Sequence, residues 1–304
     1  MRALIIGLGI GNVYIENLKQ RNIECVSIDI DQTKNPTYTS FDQLTGNKFD
    51  LGIICTPTYL HEEHLLKIKD ICNIILIEKP GLTNSDIWIK YAKEIPIRMV
   101  KNNIYRTELK YLHTIISETA NEIKQVNINW LSKDRTPYPG SWFTDKSKEG
   151  GITKDLFPHL LHYYYILSGK QLSKPICYDA YTTWKFDQVC STQYGKIQTE
   201  SPIYNADDYA SALFMTQINS IDIPFKLTAA WKTDVEDKLN IEIINHSGSK
   251  FIYEFGLCPN FVYGKMIDDI LEISDNIIVS YEEHLDIDLW IHDIINLIRN
   301  THES

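Results

Sequence analysis

The first hundred residues set short apolar runs against helical stretches in strict alternation, and no other feature constrains the fold as much. The runs are Ala3–Ile6, Cys25–Ile28, Leu51–Cys55, Ile74–Ile77 and Ile97–Val100. Each is brief and apolar on both faces of a strand, which suits a parallel sheet covered by helices on both sides. Helical patterns lie between them at Val13–Gln20, Tyr59–Asp70 and Ser85–Lys93, with Asn84 or Ser85 placed as an N-cap. A further helix over Glu108–Glu118 closes this half, so the pattern predicts βαβ units.

From about Lys124 the texture changes. Trp130, Tyr178–Trp184, Ser211–Gln217, Phe225–Trp231, Leu239–Ile244 and Lys250–Phe255 read as strands, several of them alternating. Consecutive strands without intervening helices predict a large, mainly antiparallel open sheet. One helix, Leu156–Leu167, interrupts early, with Gly169 at its C′ position, and an amphipathic helix covers Ile287–Arg299. The expectation is an α/β domain over residues 1–120 and an α+β domain over 121–304. Alternation leaves one sheet face without helices, and an open apolar face predicts a homodimer or homotetramer.

A net charge of −10 with no basic stripe argues against a nucleic-acid partner. No run approaches the roughly 18 apolar residues of a membrane helix. The amino-terminal residues read directly into a strand without a signal-like stretch, so a cytoplasmic protein is expected. The six cysteines (25, 55, 72, 177, 190 and 258) form no CxxC pair and read as free thiols.

Gly7-Leu8-Gly9-Ile10-Gly11-Asn12 lies between the first strand and the first helix. Gly7 permits a tight turn, Gly9 lets the backbone approach a pyrophosphate, and the helix N-terminus offers N–H groups and partial positive charge. The usual third glycine falls at Asn12, one place after Gly11, which leaves the helix–strand packing open. Asp29 ends the second strand about twenty residues on, where a carboxylate accepts ribose hydroxyls and opposes a 2′-phosphate. This points to a Rossmann domain binding NAD, with NADP not excluded; Asp31 competes with Asp29 for the role.

Ile74–Ile77 runs into Glu78-Lys79-Pro80, placing a lysine beyond the carboxyl end of a parallel strand, where ligands bind. The proline next to it is able to support a cis peptide. Thr56-Pro57-Thr58-Tyr59-Leu60-His61 after the third strand, together with Glu78-Lys79-Pro80, resembles the glucose–fructose oxidoreductase/inositol dehydrogenase (Gfo/Idh/MocA) family. The resemblance implies that Thr56, Pro57 and His61 flank the dinucleotide, and that Lys79 contacts substrate and nicotinamide. His61 and His64 share a helical face, but no third ligand stands at a convincing spacing, so no metal is expected.

Gly150-Gly151-Ile152-Thr153-Lys154-Asp155-Leu156-Phe157-Pro158-His159 is similar to a second pattern of that family. Asp155 and His159 are four apart and share a helical face. His162 stands where the family often has Asp, and Pro158 falls early enough in a helix to be tolerated.

Lys79, Asp155 and His159 are therefore expected to meet at one active site. The resemblance implies that the acid/base is either the lysine or the histidine; His159, whose free pKa is near 6.5, is assigned the role here, with Lys79 the alternative. Lys79 polarises the reacting oxygen, and Asp155 bonds a neighbouring hydroxyl or orients the other two. The Arg135–Phe143 loop supplies aromatics, Trp142 among them, to stack on a sugar or pack an interface. Tyr105 and Arg106 resemble a post-strand family segment, and Arg106 suits an anionic substrate.

The reading is an NAD(P)-dependent dehydrogenase or reductase acting on a secondary alcohol or ketone of a sugar, inositol or sugar derivative. Its alternatives keep the fold but reduce another carbonyl or an imine, or bind the dinucleotide as a sensor without catalysis.

Overall fold

A computed structural model describes residues 1–133, 136–183, 203–256, 258–273 and 279–301. The chain folds into two compact units, Met1–Tyr105 with Cys258–His292, and Arg106–Leu257 with Asp293–Ser304. Among the described residues no helix is long and apolar enough to cross a membrane.

The first unit is built from β1 (Arg2–Ile6), α1 (Gly11–Lys19), β2 (Glu24–Ile28), β3 (Phe49–Ile54), α2 (His61–Ile68), β4 (Cys72–Ile77), α3 (Ser85–Ala92) and β5 (Ile97–Met99). All strands pair in parallel in the order β2-β1-β3-β4-β5. Ala3, Leu4, Ile5, Ile53, Ile54 and Ile75–Ile77 are fully buried, as the uninterrupted apolar runs require. Each such leucine or isoleucine side chain contributes roughly 1.5–3 kcal/mol on burial. Asn84 is the N-cap of α3; its side chain accepts from the Asp86 and Ile87 N–H groups.

The second unit holds α4 (Thr107–Glu118), β6 (Ile123–Ser132), α5 (Ile152–Asp155), α6 (Phe157–Leu167), β7 (Cys177–Tyr181), β8 (Tyr209–Ile218), β9 (Ile221–Trp231), β10 (Lys238–Asn245) and β11 (Lys250–Glu254). The sheet runs β11-β10-β6-β9-β8-β7, antiparallel except for β6 with β9. α6 covers one face: Tyr164 stacks on Phe214 and meets Phe225 edge-on, over the buried row Val126, Ile128, Leu227 and Ala229. The opposite face was expected to be apolar. Its centre is polar instead: Asn127 donates to Glu242 and Asn129 to Asn240, in rows with Thr228 and Ser211.

The helix expected over Leu156–Leu167 begins earlier, at Ile152, and breaks at Leu156. Pro158 explains the break, because it lacks an N–H and its ring crowds the carbonyl four residues back. Gly169 takes φ +75° beyond the end of α6, where an L side chain is strained. The strand expected over Tyr178–Trp184 appears as Cys177–Tyr181; Trp184 and Cys190 lie outside the described residues, among which the other five cysteines form no disulfide.

Two helices follow. α7 (Asn260–Ile270) has no counterpart among the sequence expectations, and α8 (Tyr281–Arg299) starts six residues ahead of its predicted beginning. α7 packs on α1 at Gly264, where a Cβ would lie 2.7 Å from the Arg21 guanidinium, and Arg21 reaches Asp268 through two bonds of 2.5 and 2.7 Å. α8 seats Asp288 beside Lys101, both side chains fully buried, and Asp288 also accepts from the Met99 N–H at 2.9 Å.

Candidate active site

The glycine turn divides its work among three positions. Gly7 sits at φ +90°, donates its N–H to Ile28 O at 2.8 Å, and has no room for a side chain because a Cβ would lie 2.9 Å from Cys55 O. Gly11 opens α1, and a Cβ there would meet Ile5 at 2.9 Å. Gly11 therefore performs the close helix–strand packing of the usual third glycine in a turn one residue shorter. Gly9 differs from both: a Cβ on it would find no atom within 4 Å. The N-cap residue of α1, Ile10, offers no side-chain cap, and Asn12 folds back to donate to Leu8 O at 2.9 Å.

Asp29 is tied to this turn. Its carboxylate accepts from the Leu8 N–H at 2.7 Å, the Asp31 N–H at 2.8 Å and Lys34 Nζ at 3.0 Å. Burial alone would raise its pKa; the N–H donors and Lys34 outweigh burial and hold the carboxyl below its ordinary value. Asp31 is exposed and accepts from the Thr33 N–H and hydroxyl, which lowers its pKa. Ile30 between them is 90% exposed, which the sequence pattern alone does not predict for an isoleucine at a strand end.

At the ends of β3 and β4, His61 joins two loops. Its Nδ1 lies 2.8 Å from Gly81 O and its Nε2 2.8 Å from Thr56 O, with the ring 1% exposed. Burial lowers its pKa against the opposing pull of the two carbonyls. His64 pairs its Nδ1 with the Thr56 hydroxyl at 3.0 Å, and burial brings its pKa down to about 4. These partners place both histidines as braces of the Thr56-Pro57 and Glu78-Lys79-Pro80 segments. Among the described residues no cluster of three or more metal-ligating side chains is present.

Tyr14, fully buried on α1, donates its hydroxyl to Glu78 Oε1 at 2.7 Å, while Glu78 Oε2 accepts the Lys79 N–H at 3.1 Å. The Lys79–Pro80 bond is cis. Tyr14 also meets Tyr263 edge-on at 5.4 Å, so α7 backs the same corner.

In the second unit, the paired glycines fit under the loop that precedes them. A Cβ on Gly150 would overlap the carbonyls of Trp142 and Phe143, and the Gly151 N–H donates to Phe143 O at 2.8 Å. Gly151, at φ +120°, leaves its Cβ space to the Asp207 carboxylate. Asp207 then caps α5: its carbonyl accepts the Ile152 N–H and its side chain the Thr153 N–H, each at 2.8 Å. Asp207 is a positioning residue that sequence reasoning missed, because the cap comes from a residue more than fifty positions away.

Asp155 ends α5, 7% exposed, and His159 follows in the first turn of α6. The helix break thus falls between the two. The His159 ring packs against Trp130 of β6, centroids 5.3 Å apart and planes tilted by 32°, and stands edge-on to the buried His162 at 5.7 Å. Trp130 was anticipated only as a strand residue. Trp142 and Phe143 stack on each other at 3.9 Å. Arg106 is 3% exposed, donates to Gly256 O at 3.1 Å and places its guanidinium over the Phe255 ring. Tyr105 donates to Asp269 at 2.6 Å, and Arg135 lies outside the described residues.

No protein-family model matches the chain. A curated relative, described as a UDP-kanosamine synthase oxidoreductase subunit of Amycolatopsis mediterranei, is 28% identical over 179 residues, 53% of this chain and 50% of its own length. The chain thus spans about half the length of the curated relative it matches. GenD2 from gentamicin A biosynthesis, solved in complex with NAD, superposes with a TM-score of 0.74 at 14% identity, over 100% of this chain and 94% of its own. The myo-inositol dehydrogenase of Corynebacterium glutamicum gives 0.66 at 13% identity over 99% and 97%, and that of Lactobacillus plantarum 0.65 at 14% over 98% and 97%. At these identities the likeness establishes architecture: the chain has the fold of the Gfo/Idh/MocA-type oxidoreductases, a parallel Rossmann-like sheet and a second, mostly antiparallel one.

Proposed function

We propose that the chain is an NAD(P)-dependent oxidoreductase moving a hydride between nicotinamide and a secondary alcohol or ketone of a sugar, inositol or sugar derivative. One observation carries this reading. Gly9 needs no glycine for internal packing, whereas Gly7 and Gly11 beside it do. A bare backbone at that point, next to an uncapped helix N-terminus and the anchored Asp29, fits a dinucleotide pyrophosphate. The exposed Ile30 suits the adenine face. The NAD complex of GenD2 and the sugar chemistry in the curated relative's name support the cofactor and substrate class.

The nicotinamide supplies hydride chemistry when bound; the chain's own residues manage orientation and one proton. His159 takes the hydroxyl proton in oxidation and returns it in reduction, with Trp130 fixing the ring plane. Asp155 accepts a neighbouring substrate hydroxyl. Lys79, its backbone restrained through Glu78 and Tyr14, polarises the reacting oxygen. Gly7, Gly9, Gly11, Asn12, Asp29, Thr56, Pro57, His61 and Glu78 form or brace the cofactor side, and Trp142 and Arg106 serve the substrate side.

A panel of polyols and sugars, followed through the absorbance of reduced nicotinamide, tests the reading. Turnover with at least one compound, lost in His159→Ala and Lys79→Met, is the expected result. Full turnover by Lys79→Met would remove that lysine from the scheme.

We also propose a homodimer or homotetramer, formed through the sheet face turned away from α6. Its polar rows call for a hydrogen-bonded interface, and a monomeric mass by light scattering at micromolar concentration would contradict it. A reducing, cytoplasmic compartment suits the five described cysteines, which form no disulfide with one another.

A further inference from the structure

A strand end that selects NAD presents a carboxylate able to accept the ribose hydroxyls and repel a 2′-phosphate. At the end of β2 that charge is not left uncompensated. Lys34 Nζ lies 3.0 Å from Asp29 Oδ2, the oxygen that also accepts from Leu8, one residue into the glycine turn. The pair is asymmetric in exposure: the Asp29 side chain is 7% exposed and that of Lys34 38%. An approaching ligand therefore meets the ammonium more readily than the carboxylate.

The lysine is also held in place. It ends a 3-10 turn, Gln32–Lys34, capped at its start by the Asp31 side chain and closed by Asn35 at φ 53°. If the ammonium turns outward, Asp29 keeps its bonds from the Leu8 and Asp31 N–H groups, so the carboxylate is not stranded. The second acid, Asp31, has its Oδ1 occupied by Thr33.

We infer that Lys34 is a specificity-determining residue for the adenosine ribose, its ammonium exchanging Asp29 for a 2′-phosphate so that the chain takes NADP as well as NAD. This rests on the dinucleotide reading above. A ribose diol gains little from the ammonium, since Asp29 remains its acceptor. A phosphate ester carries about −1.5 to −2 charge at neutral pH and three acceptor oxygens, and gains a charge-assisted bond.

The test titrates NADH and NADPH into the folded two-unit chain, wild type, K34A and K34R, following the fluorescence of the reduced nicotinamide at low and high salt. Wild type should bind NADPH within about tenfold of NADH. K34A should weaken NADPH at least tenfold and NADH less than about threefold, and K34R should retain NADPH. Each factor of ten corresponds to about 1.4 kcal/mol. Added salt should weaken NADPH more than NADH, because only the former gains an exposed ion pair. If wild type binds NADH while K34A leaves the ratio of the two affinities unchanged, the role of Lys34 is overturned and the dinucleotide reading survives. If wild type binds neither form, both fall together.

Discussion

The hydroxyl of Tyr14 donates to the Glu78 carboxylate across 2.7 Å, joining the first helix to the strand end that carries Lys79. Hydrogen bonds to charged groups contribute about 1.5–3 kcal/mol. Tyr14→Phe should therefore lower the unfolding free energy by about 2 kcal/mol in urea titrations. A loss below about 0.5 kcal/mol would show that the bond does not hold this corner.

Gly9 and Gly11 separate binding from folding. Gly11→Ala drives a methyl into Ile5 and should destabilise by about 1–3 kcal/mol, as overpacking does. Gly9→Ala meets no atom within 4 Å among the described residues beyond its chain neighbours and should leave the melting temperature within a degree or two, yet weaken NADH binding by at least about tenfold. Equal effects of the two substitutions on both measurements would refute the division.

The Trp130 ring restrains the His159 imidazole at a centroid distance of 5.3 Å. Trp130→Leu should reduce kcat by about tenfold, the scale of a misplaced proton-transfer group, with NADH affinity unchanged. Trp130→Phe should restore most of the loss, because a flat ring is what the packing needs. If Leu and Phe behave alike, the ring does not orient the histidine.

Three buried histidines make the fold acid-sensitive. Burial lowers the pKa of His61, that of His64 to about 4, and that of His284 to about 3, where nearby Lys101 adds to the effect. In the unfolded chain each titrates near 6.5. As pH falls below that value the unfolded chain binds protons that the folded one refuses, so stability drops until the folded pKa is reached. Denaturation midpoints should fall steeply between about pH 6.5 and 4, with slopes up to about 1.4 kcal/mol per pH unit for each histidine. Replacing His64 by Gln should flatten the slope; an unchanged slope would exclude it as a contributor.

Lys101 and Asp288 form a fully buried ion pair. Burial pulls the lysine's pKa down and the aspartate's up, each opposed by its partner. Lys101→Met leaves a carboxylate uncompensated and should cost about 3–5 kcal/mol. The double variant with Asp288→Leu should recover most of it, and a double variant no more stable than the single one would argue against the pair.

How much was legible follows from where each signal is stored. The strands of both sheets were readable because apolar alternation, or its absence, reports burial locally. The glycine turn, Asn84 and Gly169 were readable because backbone geometry dictates residue type. The early start and break of the helix around Leu156 follow from Pro158 and the distant cap at Asp207, and only the first is visible locally. α7 was missed although Val262, Met266, Ile267 and Ile270 lie at helical spacing and are buried. The polar rows on the second sheet escaped notice because Asn127 and Glu242 become neighbours only through strand pairing. Trp130 could not be assigned to His159 for the same reason.

The first unit is assembled from residues 1–105 and 258–292, with the second unit's main segment inserted between them. During synthesis the parallel sheet thus emerges long before α7 and α8, and Lys101 waits nearly two hundred residues for its counter-ion. The five parallel strands are thus the first elements to emerge, yet the buried ammonium of Lys101 stays without Asp288 until residues 258–292 have followed the second unit's main segment off the ribosome.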